Sequence, residues 1–243
     1  HLWVANIVTF IGAQLTVVAV PLQIYAITQS SAYVGLTGLF GLVPLIVFGL
    51  WGGALADVFD RRTILLVTTS GLIATAGLFF LQAAAGWNNV WVLLALFSVQ
   101  QAFFAVNQPT RSAVLPRILP AAQLPAANSL NMTVMQAGAI VGPLLGGVLV
   151  TVVGFSVMYL LDSLSLLTTL WAVWRLPALQ PEDSDGPRPG VGLRSILDGF
   201  SYLRGHKVLL MSFVVDLIAM IFGMPRILFP QIAHQDFGGR TDG

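Results

Sequence analysis

Long apolar runs recur along this chain, separated by short polar turns. Seven stretches approach or exceed the roughly 20 residues that a helix needs to cross a bilayer. They are Leu2–Ile27, Val34–Ala56, Thr63–Ala85, Val90–Asn107, Leu130–Val150, Phe155–Trp174 and Val208–Pro230. Runs of this length predict helices, because lipid cannot satisfy open backbone groups. The expected fold class is therefore an all-α membrane protein.

The turns differ in charge. Thr28–Tyr33, Gly86–Asn89 and the turn at Gly154 carry none. The alternate turns hold Arg61, Arg62, Arg111, Arg117, Arg175, Arg188, Arg194, Arg204 and Lys207, which is nine of the eleven basic residues. The positive-inside rule makes that side cytoplasmic. The first span then runs outward and the seventh ends outside. Trp87 and Trp91 fall at the outer interface and Trp171 and Trp174 at the inner one, where aromatic belts form.

After Arg175 the pattern changes. Pro177–Gly192 is rich in Pro, Gly and acid and reads as a mobile linker. Leu193, Ile196, Leu197, Phe200 and Leu203 then follow helical spacing, opposite Arg194, Asp198, Ser201 and Arg204. This predicts a short amphipathic helix on the cytoplasmic membrane surface. The expected organisation is a six-span bundle over 1–175, a linker with that helix over 176–206, and over 207–243 the seventh span as the start of a second, truncated bundle. The first residue is His and the chain begins almost inside an apolar run, so a fragment is expected.

Composition sharpens the picture. The chain of 243 residues is 56% hydrophobic and 9% charged, against about 25% charged in soluble domains. It has no cysteine, which excludes disulfides and thiolate metal sites. No cofactor, metal or nucleic-acid partner is expected. A Walker-type phosphate loop is absent from the sequence.

Two motifs stand out. Gly53, Asp57, Asp60, Arg61 and Arg62 crowd the turn between the second and third spans, in "GGALADVFDRRT". Asp60 is placed to cap the third span. Asp57 lies at the negative end of its helix and the arginines at the positive end of theirs, so local helix electrostatics do not explain them. Asp57 in particular calls for a partner elsewhere in the fold. On the fifth span, Gly138, Gly142 and Gly146 recur every four residues, with Pro143 and Gly147 beside them. Such a stripe admits a closely approaching helix, and Pro143 removes a backbone hydrogen bond. Asn131 and Met135 extend the same face.

These residues carry a resemblance. Gly53-x-x-x-Asp57-x-x-x-Arg61-Arg62 resembles the signature loop of the major facilitator superfamily, and "GAIVGPLLGGVL" resembles its antiporter motif. "PTRSAVLPRILPAAQLPAANSLN" and "LLDSLSLL" are similar to one branch, that of the enterobactin exporters and the macrolide and multidrug efflux pumps. The resemblance implies twelve helices in two bundles, with substrate between them and access alternating by rocking. It implies that Asp57, Arg61 and Arg62 contact the second bundle and gate the cytoplasmic side. It implies that Gly138, Gly142, Pro143, Gly146 and Gly147 pack on a helix of that bundle. The chain departs from the pattern at Val58, where the loop is usually basic, and at Asp60, where Gly is usual. On the fourth span Ser98, Val99, Gln100, Gln101 and Ala102 stand where many proton-driven members carry an arginine, so that residue's role does not transfer.

Ionisable residues within the membrane are functional candidates by default. Three exist: Asp162, Asp216 and Arg226. Asp162 is either a paired core residue or a working group; Asp216 is a candidate for a proton or a cationic substrate; Arg226 suits an interfacial or gating charge. Asn6, Thr9, Thr16 and Gln23 share one face of the first span, as either a polar path or interhelix bonds, and Gln100 and Gln101 pose the same alternative. The leading reading is a non-enzymatic exporter of amphiphilic small molecules of siderophore or drug type. It sits in the inner (plasma) membrane and is driven by proton antiport, with protonation of Asp162 or Asp216 coupled to the switch. Its partners are the substrate, protons, the bilayer and the missing C-terminal half. The alternative is a non-transporting scaffold or sensor of the same fold. An intramembrane enzyme lacks support: no span holds a His-x-x-x-His pair or a nucleophile with its base.

Overall fold

The computed structural model describes residues 2–118, 120–175, 205 and 207–222. They form α1 (Leu2–Thr28), α2 (Ser31–Val58), α3 (Arg61–Ala84), α4 (Val90–Ile118), a 3-10 turn (Ala121–Gln123), α5 (Leu124–Trp174) and α6 (Lys207–Phe222). Five of these helices are long and apolar enough to cross a membrane. The fold is an all-α membrane architecture, as the apolar runs predict. The linker, its amphipathic helix and residues 223–243, with Arg226 and the end of the seventh expected span, lie outside the described residues, as do the surroundings of Gly53 and the side chains of Asn6, Asp57 and Asp216.

α5 holds two spans. It breaks at Gly154, whose φ of 75° and ψ of 172° are not helical. This region of backbone space is essentially reserved for glycine. The break divides α5 into a first arm (124–153) and a second arm (155–174). The fifth and sixth expected spans are therefore separated at the expected residue, by one glycine rather than by a loop.

The remaining turns close by local chemistry. At the end of α3, Gly86 has φ of 67°. The Gly86 N–H donates to the Ala83 carbonyl, and the Trp87 N–H to that of Gln82. This is the paired bonding of a glycine-terminated helix. Two residues later, the Asn89 Oδ1 accepts from the Trp91 and Val92 backbone N–H groups at 3.0 and 3.4 Å and starts α4.

α1 packs along α5, α2 along α4, and α3 against both α4 and α5. One face of α3 is buried at the helical period: Leu65, Thr68, Leu72, Thr75, Ala76, Phe79 and Gln82. Three apolar clusters follow that face. Leu65 meets Val114 and Val173; Leu72 and Ala76 meet Leu166; Phe79 joins Ile24, Leu93, Leu94, Met158 and Tyr159. The threonines within it return their hydroxyls to the backbone, Thr68 to Ile64 at 2.8 Å and Thr75 to Gly71 at 3.0 Å.

α4 corrects one boundary. The hydrophobic run ends at Asn107, yet the helix continues to Ile118 and takes Arg111 and Arg117 into its last turns. The cause is packing. Asn107 donates from Nδ2 to Thr68 and Thr69 on α3. Thr110 is fully buried and bonds back to Val106 at 2.8 Å, and Val114 is buried against Leu65 and Val173. Polar residues thus extend the helix because α3 and α5 supply partners for them.

Gly77 and Gly154 both have open space where a Cβ would stand, but only Gly154 has a positive φ. Gly154→Ala should cost about 1–3 kcal/mol through backbone strain, whereas Gly77→Ala should be neutral or stabilise by up to about 1 kcal/mol. Thermal unfolding of the full-length protein in detergent compares them. Equal midpoints would contradict the assigned break.

Candidate functional site

α1 is clasped between the two arms of α5. On one face, Phe10, Gln14 and Val18 meet Gly138, Gly142 and Gly146. A Cβ at Gly142 would stand 2.5 Å from the Gln14 Cβ, and one at Gly146 would stand 3.0 Å from a Val18 methyl. The three glycines are buried. Any side chain there would push α1 away, so the stripe admits a close helix, as its spacing predicts. Among the described residues that helix is α1.

The other part of the motif faces away. Pro143 is exposed, Gly147 is half-buried, and no atom lies within 4 Å of a Cβ built on Gly147. Asn131 is half-buried near the start of the first arm.

About half a turn around α1, polar residues bond to the second arm. The Thr9 hydroxyl contacts that of Thr169 and donates to the Ser165 carbonyl at 3.2 Å. Thr16 Oγ1 donates to Asp162 Oδ2 at 2.5 Å. Gln23 Oε1 accepts from Tyr159 Oη at 2.8 Å and from Gln82 Nε2 at 3.1 Å. Thr9, Thr16 and Gln23 are seven residues apart, so the contacts form three rungs on one face. α1 and the second arm run antiparallel, which pairs Thr9 with Thr169, Thr16 with Asp162 and Gln23 with Tyr159. The polar face of α1 therefore makes interhelix bonds. Tyr159, Ser165 and Thr169 were not singled out from the sequence. Their signal is visible there: 159, 162, 165 and 169 share a helical face.

Asp162 is the unusual member. It is 1% exposed, and Oδ1 has no hydrogen-bond partner. A Cβ at Gly12 would stand 3.1 Å from that atom and would overlap Ser165. The carboxyl thus sits in a packed contact with one hydroxyl donor to Oδ2. Among the described residues no ion pair with it is seen. Gln82 Oε1 at the outer rung is likewise buried without a partner. Tyr159 stacks on Phe79 with ring centres 5.0 Å apart, holding that rung against α3.

The charged turn behaves differently. Asp60 caps α3: its Oδ1 accepts from the Arg62 backbone N–H at 3.0 Å. Arg61 Nη1 donates to the Ala113 carbonyl at 3.0 Å, and Arg62 Nη2 to the Trp174 carbonyl at 2.7 Å. These carbonyls lie in the last turns of α4 and α5, the negative ends of those helices. The arginines sit at the wrong end of their own helix but at the favourable ends of its antiparallel neighbours. Arg62 Nε is buried without a partner. Gly53 and Asp57 fall in the last turns of α2 and Asp216 in α6.

On α4, Gln100 is buried and Gln101 half-buried. Gln101 Nε2 lies 3.6 Å from where a Cβ of Gly41 on α2 would stand. Nearby, Ser98 Oγ donates to the Phe40 carbonyl at 2.8 Å. The structure thus gathers Asp162 with the α1 polar face, and Arg61 and Arg62 with the ends of α4 and α5. It keeps the two groups on separate contacts. Among the described residues no group of three or more His, Cys, Asp or Glu side chains is placed to hold a metal.

Comparison with known proteins adds the lineage. The chain is 27% identical over 241 residues to the enterobactin exporter EntS of Shigella boydii serotype 18, and to that of Escherichia coli O157:H7. In both cases the match covers 95% of this chain and 55% of the relative. The chain therefore spans about half the length of the curated relatives it matches. The transmembrane secretion effector family matches residues 1–241. With its membrane-length helices, signature loop and glycine motif, the chain belongs to that family of major facilitator transporters.

Proposed function

We propose that this chain is the N-terminal part of a secondary active exporter of amphiphilic small molecules, of siderophore or drug type, working by proton antiport in the inner membrane. The family match over residues 1–241 carries the transport reading. The similarity to enterobactin exporters favours a siderophore-like substrate. In this reading 1–175 is one bundle, 176–206 a cytoplasmic linker, and 207–243 begins the second bundle.

The residues divide the work. Arg61 and Arg62 tie the cytoplasmic ends of α4 and α5 to α3, which lets the bundle rock as one body. Gly53 and Asp57 lie beside them at the end of α2, where a partner bundle would meet the turn. Gly138, Gly142 and Gly146 hold α1. Pro143 and Gly147, exposed and half-buried, present the glycine motif to the second bundle. Gln100, Gln101 and Asn131 are polar groups for the substrate path. Asp216 and Arg226 would contribute from the first helix of the second bundle.

Asp162 is the favoured proton carrier. Gain or loss of a proton there changes the charge of a buried contact that has a single hydroxyl donor. Buried charges without full partners are costly, so a change in protonation alters the strength of the α1–α5 contact and biases which way the bundle rocks. That links protonation to conformation without the fourth-span arginine.

In proteoliposomes, an imposed pH gradient should drive the full-length protein to move enterobactin or an amphiphilic drug. Asp162→Asn should abolish the pH-driven component while the protein stays folded. Undiminished pH-driven flux in Asp162→Asn would reject the proton assignment. No flux above empty liposomes across a siderophore and drug panel would reject export itself.

A second expectation concerns the chain alone. Residues 1–243 expressed without the remainder should give no efflux, because a path between two bundles needs both. Drug accumulation in cells measures this, and active efflux from the 243-residue chain would overturn the two-bundle reading.

A further inference from the structure

The outer wall formed by α3 and the second arm of α5 has no role in the function proposed above. The two helices pack through Leu72 with Leu166 and Leu65 with Val173. Each turns an apolar stripe outward. Val67 on α3 and Leu164, Leu167 and Trp171 on α5 are between 46% and 60% exposed. Lipid chains cover such faces in any membrane protein, so the stripes alone select nothing.

The end of the wall is selective. Arg175 lies over the Trp171 ring, 4.0 Å from its centre. A cation–π contact of this kind does not use up the guanidinium N–H groups, which stay able to hold an anion. One residue away, Arg62 Nη2 is fixed on the Trp174 carbonyl. Two cations of different helices are thus anchored at one helix end. Trp174, 64% exposed, flanks the pair at the depth where indoles meet headgroups.

We propose that Arg62 and Arg175 hold the phosphate of an anionic phospholipid whose acyl chains lie along the α3 and α5 stripes. Charge complementarity and the adjoining apolar wall together fit a diacyl lipid better than a free anion. The leaflet concerned follows the topology proposed above, whereas the binding does not depend on transport or on sidedness.

Native mass spectrometry of the full-length protein tests this, with release from micelles holding equal phosphatidylglycerol and phosphatidylcholine. Each guanidinium near an anionic lipid is worth about fivefold in affinity. Phosphatidylglycerol should be retained preferentially, and Arg175→Gln should cut its retention about fivefold. Arg62 also caps a helix, so Arg175→Gln carries the test, with the thermal midpoint checking that the fold is kept. Trp171→Leu should weaken retention through loss of the stacking contact. Equal retention of the two lipids, or no change in Arg175→Gln, would overturn the proposal. Displacement of the lipid by excess inorganic phosphate would assign a free-anion site instead and overturn it too.

Discussion

The arrangement depends on how closely α1 can approach α5. Gly12 allows the approach on one side and Gly138, Gly142 and Gly146 allow it on the other. Only at that separation do Thr9, Thr16 and Gln23 reach Thr169, Asp162 and Tyr159. In lipid there is no hydrophobic drive between helices, so close packing and interhelix bonds must supply the association. Small residues and polar residues therefore act together here. α1 is held against both arms of α5, and Asp162 is buried as a consequence.

The charged turn solves a different problem. Helix ends leave carbonyls without partners, and at a membrane surface those of neighbouring helices lie side by side. Arg62 reaches across from α3 to the last carbonyl of α5, and Arg61 to the Ala113 carbonyl in the last turns of α4. One turn thereby binds three helix ends together. This accounts for the clustering of charge in a chain with so little of it. Asp60 has a local role, as the cap of its own helix.

Much of this was legible in the sequence. Hydrophobic length identified the first six spans, the cap at Asp60 followed from residue type, and the turn at Gly154 followed from the interrupted pattern. The glycine spacing predicted a tight helix contact, although not that α1 would fill it within this bundle. The extent of α4 was not legible. Its last turns are polar, and only the hydrogen bonds of Asn107 and the burial of Thr110 and Val114 make them helical. The partners of Arg61 and Arg62 were also hidden, because they are backbone carbonyls of distant helices and carry no residue signature. For Thr9, Thr16 and Gln23 the sequence left a polar path and interhelix bonds open; the structure favours the second.

The polar face of α1 is committed to α5 inside the bundle. The chain has no cysteine, so paired cysteines report the contact directly. Thr9→Cys with Thr169→Cys in the full-length protein should form a disulfide under mild oxidation in membranes and then, once denatured in detergent, resist a maleimide that adds mass. A control pair, Thr9→Cys with the exposed position Val43→Cys, should remain fully modifiable. If the Thr9 and Thr169 cysteines stay as reactive as the control pair, α1 presents its polar face elsewhere, and the account of Asp162 as a buried switch fails with it.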